Sequence, residues 1–306
     1  MGDGDEFDAI RRLLAIWGEQ ALGIGDDAAI LDIPSGEQLV VSTDASIEDV
    51  HFRRDWLSAE EMGARATAAA LSDLAAMAAT PRGMLLALGL PIHWRSELEA
   101  LARGVGTAAL LARCPILGGN LSGASQLSLT ITVLGSTSHP LTRAAACPGD
   151  TIFVTGTLGA SHLALQALMA GRAPASNHRD RFAKPAPRLR EAIWLAEHGA
   201  HAAIDISDGL LADVSHMARA SCVSIKIDDD AIPCVPGASV ADALASGEEY
   251  ELIVAAPRDA PIRPAEFKRA FGLDLTAIGT VGAVGTVPVT LSRERTGMPR
   301  GHDHFS

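Results

Sequence analysis

Ala202-Ala203-Ile204-Asp205-Ile206-Ser207-Asp208-Gly209-Leu210 runs from a short apolar strand, through two carboxylates and a glycine, into a helical stretch that lasts to Ala220. Strand, acidic turn and helix in that order are the unit of an α/β fold, and carboxylates at strand ends sit where open α/β folds place ligands. Helix capping explains Asp208 before Gly209 equally well at this point. The same grammar extends outward. Upstream, Cys147-Pro148-Gly149-Asp150 reads as a turn and Thr151-Ile152-Phe153-Val154 as a strand. Gly156 and Gly159 follow, then a helix from Ser161 to Ala170, a polar Pro-rich loop over 171–187, and a helix from Arg188 to His198. Downstream, Leu252 to Ala255 and Ile278 to Val281 read as strands.

The first half repeats the pattern. Leu39-Val40-Val41 is a short β-rich run ending in Ser42-Thr43-Asp44. Helices are expected over Glu60 to Ala79 and Ser96 to Arg113, and apolar strands over Met84 to Leu90 and Leu127 to Leu134. The pattern restarts between Arg143 and Asp150, so the reading is α/β (α+β) in two domains, residues 1–140 and 141–306. At 306 residues each domain is long enough to bury its own core.

Composition excludes several classes. Hydrophobic residues at 48% and charged residues at 20% are globular values. A net charge of −12 argues against sequence-independent nucleic-acid binding, which needs a basic face. It leaves phosphate substrates open where metal ions bridge the negative partners. Met1-Gly2-Asp3-Gly4-Asp5-Glu6 has neither a basic nor an apolar leader segment. Ala64 to Ala79 is interrupted by Arg65, Thr67, Ser72 and Asp73, so no stretch reaches the roughly 18 apolar residues of a membrane span. Cys114, Cys147, Cys222 and Cys234 are scattered without a C-x-x-C and read as reduced, mostly buried thiols of a cytoplasmic protein. Their spacing leaves a zinc site open as the minor reading.

Four acidic clusters need explaining: Gly25-Asp26-Asp27-Ala28, Ser42-Thr43-Asp44 with His51 beyond it, Asp73, and Asp205-Ile206-Ser207-Asp208. Asp73 shares a helix face with Ala66, Ala69, Ala70 and Met77, while Leu71, Leu74 and Ala78 fill the opposite face. A carboxylate in so apolar a helix must be paired, protonated or bound to metal, and Arg65 and Arg82 are the candidate ion-pair partners. Asp26-Asp27 taken alone is a solvated turn, and His51 taken alone is a buried, hydrogen-bonded histidine. Together the clusters suit Mg²⁺, which takes oxygen ligands alongside substrate phosphates. No Walker A sequence occurs, and Gly104-Val105-Gly106 lies inside a helix rather than after a strand. Gly118-Gly119 and Gly156-Thr157-Leu158-Gly159 read as turns that could also admit a phosphate.

Gly23-Ile24-Gly25-Asp26-Asp27-Ala28-Ala29, Ser42-Thr43-Asp44 through Val50-His51-Phe52, and Leu71-Ser72-Asp73-Leu74-Ala75-Ala76-Met77 resemble the thiamine-monophosphate kinase family. So do Leu141-Thr142-Arg143, Pro148-Gly149-Asp150, Pro187-Arg188-Leu189, the 205–210 run, Gly247-Glu248-Glu249-Tyr250-Glu251-Leu252 and the ending Gly301-His302-Asp303-His304-Phe305. The resemblance implies the two-domain fold of aminoimidazole ribonucleotide synthase-like proteins, each domain a mixed sheet covered by helices. It implies an N-terminal ATP- and Mg²⁺-binding domain that forms a homodimer, and a C-terminal domain that completes the substrate and ATP site. The implied reaction is phosphorylation of thiamine phosphate to thiamine diphosphate, with ATP as co-substrate and several Mg²⁺ ions. By matching position, Asp27, Ser42, Thr43, Asp44, Asp73, Asp205 and Asp208 are the implied metal ligands, with Asp44, Asp73 and Asp208 central to catalysis. Gly119, Arg143 and Ser207 are implied to contact ATP, and His51 and Glu248 the thiamine phosphate.

Two positions depart from the family pattern. Asn120 stands where the family usually has a metal-binding aspartate, and it is carried over as an uncharged ligand near the nucleotide. His302 stands where an aromatic ring usually stacks on the thiamine. Both bear on substrate and rate more than on fold. They keep two other readings in view: a related enzyme acting on another phosphorylated metabolite, and a weakened member that binds nucleotide as a scaffold. Selenophosphate synthetase is disfavoured, since the N-terminal glycine-rich segment has no cysteine.

Overall fold

The computed structural model describes residues 5–293, in two units. One runs to Leu74 and resumes over Ala79–Ser138; the other takes Ala75–Ala78 and continues from His139.

The first unit contains α1 (Asp5–Trp17), β1 (Gln38–Ile47), α2 (Ala59–Ala76), β2 (Thr80–Leu90), α3 (Leu98–Leu111), β3 (Ile116–Gly123) and β4 (Ser128–Thr137). Its four-stranded sheet has the order β1-β4-β2-β3, antiparallel except for β2 with β3. Burial alternates along the inner strands. Leu86, Leu88, Leu129, Ile131 and Val133 are buried, whereas Leu85 and Ala87 are exposed. That is the pattern of a sheet covered on one face only. The cover includes α2, because a Cβ on Gly135 of β4 would meet Leu74 at 3.0 Å. Helices α2 and α3 lie in backbone contact, and a side chain on Gly104 would come within 1.9 Å of the Glu60 carbonyl. Gly104 is therefore a helix-packing glycine and not part of a nucleotide loop.

The second unit contains β5 (Thr151–Thr155), α4 (Ala160–Met169), α5 (Ser176–Ala183), α6 (Leu189–Glu197), β6 (Ala202–Asp205), α7 (Leu210–Ala220), β7 (Ser224–Ile227), α8 (Val240–Ala245), β8 (Leu252–Ala256), α9 (Pro264–Phe271), β9 (Leu275–Gly282) and β10 (Val289–Leu291). Six strands pair in the order β10-β7-β9-β5-β8-β6. All neighbours are antiparallel except β10 with β7. Every residue of β6 and β8 is buried, and α7 closes the core with Leu210, Val214 and Met217. Among the described residues no helix is long and apolar enough to cross a membrane.

Several sequence expectations change. Strand β1 does not stop at Val41 but continues through Ser42-Thr43-Asp44 to Ile47, paired throughout with β4, so Asp44 lies within a strand rather than beyond its end. Gly118-Gly119 is not a turn but part of β3. The 171–187 loop contains α5. Of the four thiols only Cys114 is buried; Cys147 and Cys222 are exposed. Burial pushes the Cys114 thiol up to about 12.

Candidate active site

In the first unit, strand β1 and helix α2 bring two of the acidic clusters together. The Ser42 hydroxyl donates to Asp73 Oδ2 at 2.5 Å across 31 residues of sequence. Asp44 follows Ser42 by two positions, so both side chains take the same sheet face. Arg82, one of the candidate partners for Asp73, instead pairs with Glu37 at 2.9 Å and donates to Ser136. Thr43 takes the other face, where its hydroxyl lies 2.8 Å from that of Thr132. His51 sits in the turn after β1, and its Nδ1 accepts the Ile47 N–H at 3.1 Å. That bond leaves the proton of a neutral ring on Nε2, as a donor.

The strand register places the rest of this unit's predicted residues further off. Asp44 is paired with Ile131, Ile131 with Leu86, and Leu86 with Gly119. Three strand spacings separate Gly119 from Asp44, roughly 14 Å. Asn120 is in the next row, with Ala87, Thr130 and Ala45, on the face opposite to Asp44. The register does not bring Asn120 to Asp44 and Asp73. Asp27 is exposed in a loop whose Leu22 N–H is fixed to the Ile116 carbonyl at 3.0 Å. Its own N–H binds the Asp26 carboxylate at 2.9 Å. A cleft of about 550 Å³ in this unit is lined, among the described residues, by Arg12, Arg95 and Ser122 with others, and by none of the predicted site residues.

In the second unit, the 205–209 turn and the 246–251 loop lie against each other. Glu248 N–H donates to the Ser207 carbonyl at 2.8 Å, and Tyr250 N–H to the Ile206 carbonyl at 2.9 Å. Asp205, Ser207, Asp208 and Glu248 are thus neighbours. Glu248 and Tyr250 both have left-handed backbones, at φ 54° and 53°. Non-glycine residues hold such angles only where their surroundings impose them. Here the restraint is Glu249 between them, 3% exposed, whose Oε1 accepts from Gly159 N–H, Ser161 N–H and the Ser246 hydroxyl at 2.8, 3.2 and 2.5 Å. Burial raises its carboxyl above the usual range despite these donors and Arg181. Beneath the loop, Glu251 is fully buried between Arg188, Arg181 and the Thr155 hydroxyl, at 2.5, 2.8 and 2.6 Å. Gly156 allows this: its φ is +64° and a Cβ there would stand 2.3 Å from Glu251.

Asp213 on α7 holds the acidic turn. Its Oδ2 accepts the N–H groups of Ser207, Asp208 and Gly209, each at 3.1 Å. Burial and the negative charges of Asp205 and Asp208 push its carboxyl up to about 8. Asp208, Asp213 and His216 offer ligand atoms within 4.8 Å of one another. Arg143 is exposed, and its carbonyl anchors the Ser221 hydroxyl at 2.8 Å. His302 lies outside the described residues. Asp213, His216 and Glu249 were not singled out in the sequence. The spacing Asp213 to His216 on one helix face was the available signal for the first two.

Two family models match the chain, the N-terminal domain of AIR synthase related proteins over residues 25–137 and the C-terminal domain over residues 147–291. Fold and family models therefore define an α/β protein of the AIR synthase related class. The chain is 32% identical to the thiamine-monophosphate kinase of Bacillus subtilis, over 98% of this chain and 99% of that one. It superposes on the crystal structure of thiamine-monophosphate kinase from Stenotrophomonas maltophilia with a TM-score of 0.82 at 35% identity, covering 94% of this chain and 96% of that one. For AaThiL complexed with AMPPCP and TMP the TM-score is 0.78 at 29% identity, covering 98% and 96%. The chain belongs to the thiamine-monophosphate kinase family.

Proposed function

We propose that the chain transfers the γ-phosphoryl group of ATP to thiamine phosphate, giving thiamine diphosphate and ADP. The observation that carries the reading is the near full-length match to thiamine-monophosphate kinases, one of them a structure holding AMPPCP and TMP. An oxygen of the acceptor phosphate attacks the γ-phosphorus, and the bond to the β-phosphate bridging oxygen breaks. The acceptor is already anionic, so no strong base is required; the task is to align two anions and offset their charge.

The donors fit Mg²⁺. They are oxygens throughout, and in the 205–209 turn, where burial first and the charges of Asp205 and Asp208 second push the Asp213 carboxyl up to about 8, a dication relieves the negative charge of those neighbours. Asp205 and Asp208 would hold one such ion in the second unit, and Asp44, Asp73 and Ser42 another in the first, with Asp27 and Thr43 as outer candidates there. Bound Mg²⁺ supplies charge neutralisation on the phosphates. The protein's own groups do the rest. The His51 Nε2–H suits an anionic phosphate oxygen, Arg143 and Ser207 suit the nucleotide, and the Glu248 carboxylate suits the cationic ring of thiamine phosphate. We further propose a cytoplasmic homodimer formed through the N-terminal domain, whose open sheet face exposes Leu39 and Val41 by 50% and 55%.

The test is thiamine diphosphate formation from ATP and thiamine phosphate with Mg²⁺ and with chelator. Turnover requires the metal, and Asp44→Asn or Asp73→Asn lowers it at least about a hundredfold while the protein stays folded, as expected for groups that offset transition-state charge. Near-wild-type turnover in either folded variant removes the metal role. Turnover on another phosphorylated metabolite in place of thiamine phosphate removes the substrate assignment.

A further inference from the structure

Strands β5 and β6 each run antiparallel to β8, which lies between them, so both start from the same edge of the sheet. The residue before β5 is Asp150 and the residue before β6 is His201. Side chains 51 positions apart meet there, with His201 Nε2 at 2.7 Å from Asp150 Oδ2. The Cys147-Pro148-Gly149-Asp150 turn folds the thiol back onto the same spot. Cys147 N–H donates to Asp150 Oδ2 at 2.7 Å, and Asp150 N–H returns a bond to the Cys147 carbonyl at 3.1 Å. A sulfur, a carboxylate oxygen and an imidazole nitrogen consequently lie within 4.8 Å of one another.

We propose that Cys147, Asp150 and His201 form a site for a borderline transition-metal dication of the zinc type. The ligand set decides the metal class: thiolate and imidazole suit Zn²⁺ or Co²⁺, whereas Mg²⁺ prefers oxygen. The geometry is close to what such an ion needs. Bonds of about 2.0–2.2 Å to nitrogen and oxygen and about 2.3 Å to sulfur set tetrahedral neighbours roughly 3.3–3.7 Å apart. The pair at 2.7 Å therefore opens by less than about 1 Å. Asp150 is 3% exposed and held by the Cys147 amide, which fixes the first ligand; Cys147 is exposed and His201 partly so, which leaves an entry path and room for water as a fourth ligand. Binding releases the thiol proton to solvent, and the neutral His201 ring carries its proton on Nδ1, which frees Nε2 for the ion. Asp205 ends the strand that His201 precedes, about 13 Å away at roughly 3.3 Å per residue. The site is separate from the phosphotransfer residues and does not depend on that reading.

Cobalt(II) is titrated into the reduced full-length protein in Mg²⁺ buffer. A near-ultraviolet thiolate-to-cobalt charge-transfer band saturating at one ion per chain is expected, and Zn²⁺ abolishes it. Cys147→Ser loses the band, and His201→Gln weakens the apparent affinity at least about tenfold. Asp208, Asp213 and His216 contain no sulfur and cannot give this signal. A wild-type protein without the band overturns the site, as does a band that survives Cys147→Ser. In unsubstituted protein, Zn²⁺ slows iodoacetamide alkylation of Cys147 at least about tenfold, since the bound thiolate is no longer the free nucleophile; equal alkylation with and without Zn²⁺ also overturns it.

Discussion

Asp213 Oδ2 collects three backbone N–H groups of the acidic turn, yet its carboxyl is pushed up to about 8 by burial and by Asp205 and Asp208. Its folded value stands above the ordinary 3.8, so between these values the folded chain holds more proton than the unfolded one. Stability then falls as pH rises from about 4 to about 8. Urea unfolding in chelator across that range is expected to show the decline, and Asp213→Asn to flatten it; an unchanged slope in the variant would mean the turn's charges do not act through Asp213. Mg²⁺ should reduce the wild-type decline by competing with the proton. Glu251 makes a contrasting case. Its charge is matched by Arg188 and Arg181 with good geometry. Glu251→Ala leaves two guanidinium groups under the 246–251 loop without their carboxylate and should cost about 3–5 kcal/mol, read as a shift in the urea midpoint. A loss below about 1 kcal/mol would place the pair's weight elsewhere.

At the scale of elements, a strand row decides more than a motif match. The register sets Asn120 beside Ala87 and away from Asp44. Asn120→Asp is accordingly expected to leave the Mg²⁺ dependence of turnover unchanged, and a titration curve displaced to lower Mg²⁺ would put this side chain at the metal. The strand-turn-helix at 202–220 was readable because apolar run, Gly209 and helical period agree, and α7 has the expected bounds. The continuation of β1 was not readable. Ser42-Thr43-Asp44 is too polar to announce a strand, and β4 supplies its pairing partner from far along the chain. Gly118-Gly119 imitated a turn for a related reason. A Cβ at Gly119 would lie 1.9 Å from the Leu86 carbonyl, so glycine there marks a close strand contact. Helix α5 has weak local signals and is fixed by distant ones, Phe182 at 1% exposure and His178 bonded to the Pro236 carbonyl at 3.1 Å. Among the candidate residues, the carboxylates near glycines stand out in the sequence, whereas Glu249 does not, because the amides it binds lie about 90 residues away.

For the whole molecule, charge and surface point in different directions. The chain carries −12, yet the open face of the first unit's sheet presents Leu39, Val41, Thr43, Leu85 and Ala87, all uncharged. Val41→Lys changes a side chain already 55% exposed on an edge strand, so the monomer should keep its stability. Burying that ammonium in a twofold interface costs at least about 2 kcal/mol, which weakens dimerisation roughly thirtyfold. Sedimentation velocity separates the cases: a Val41→Lys protein that still dimerises as wild type means the subunits meet elsewhere. The strand order of the second unit carries a consequence for synthesis of the chain. The four strands of the first sheet are complete by Thr137 and can pair while translation continues. Strand β5 ends at Thr155, but its neighbours β8 and β9 begin only at Leu252 and Leu275. At roughly 5–20 residues per second the ribosome leaves that apolar strand without either partner for about 5–20 s. A nascent chain paused in this interval is the form most exposed to aggregation and to chaperone capture, and synonymous codons that slow residues 156–251 should lower soluble yield without altering the finished protein.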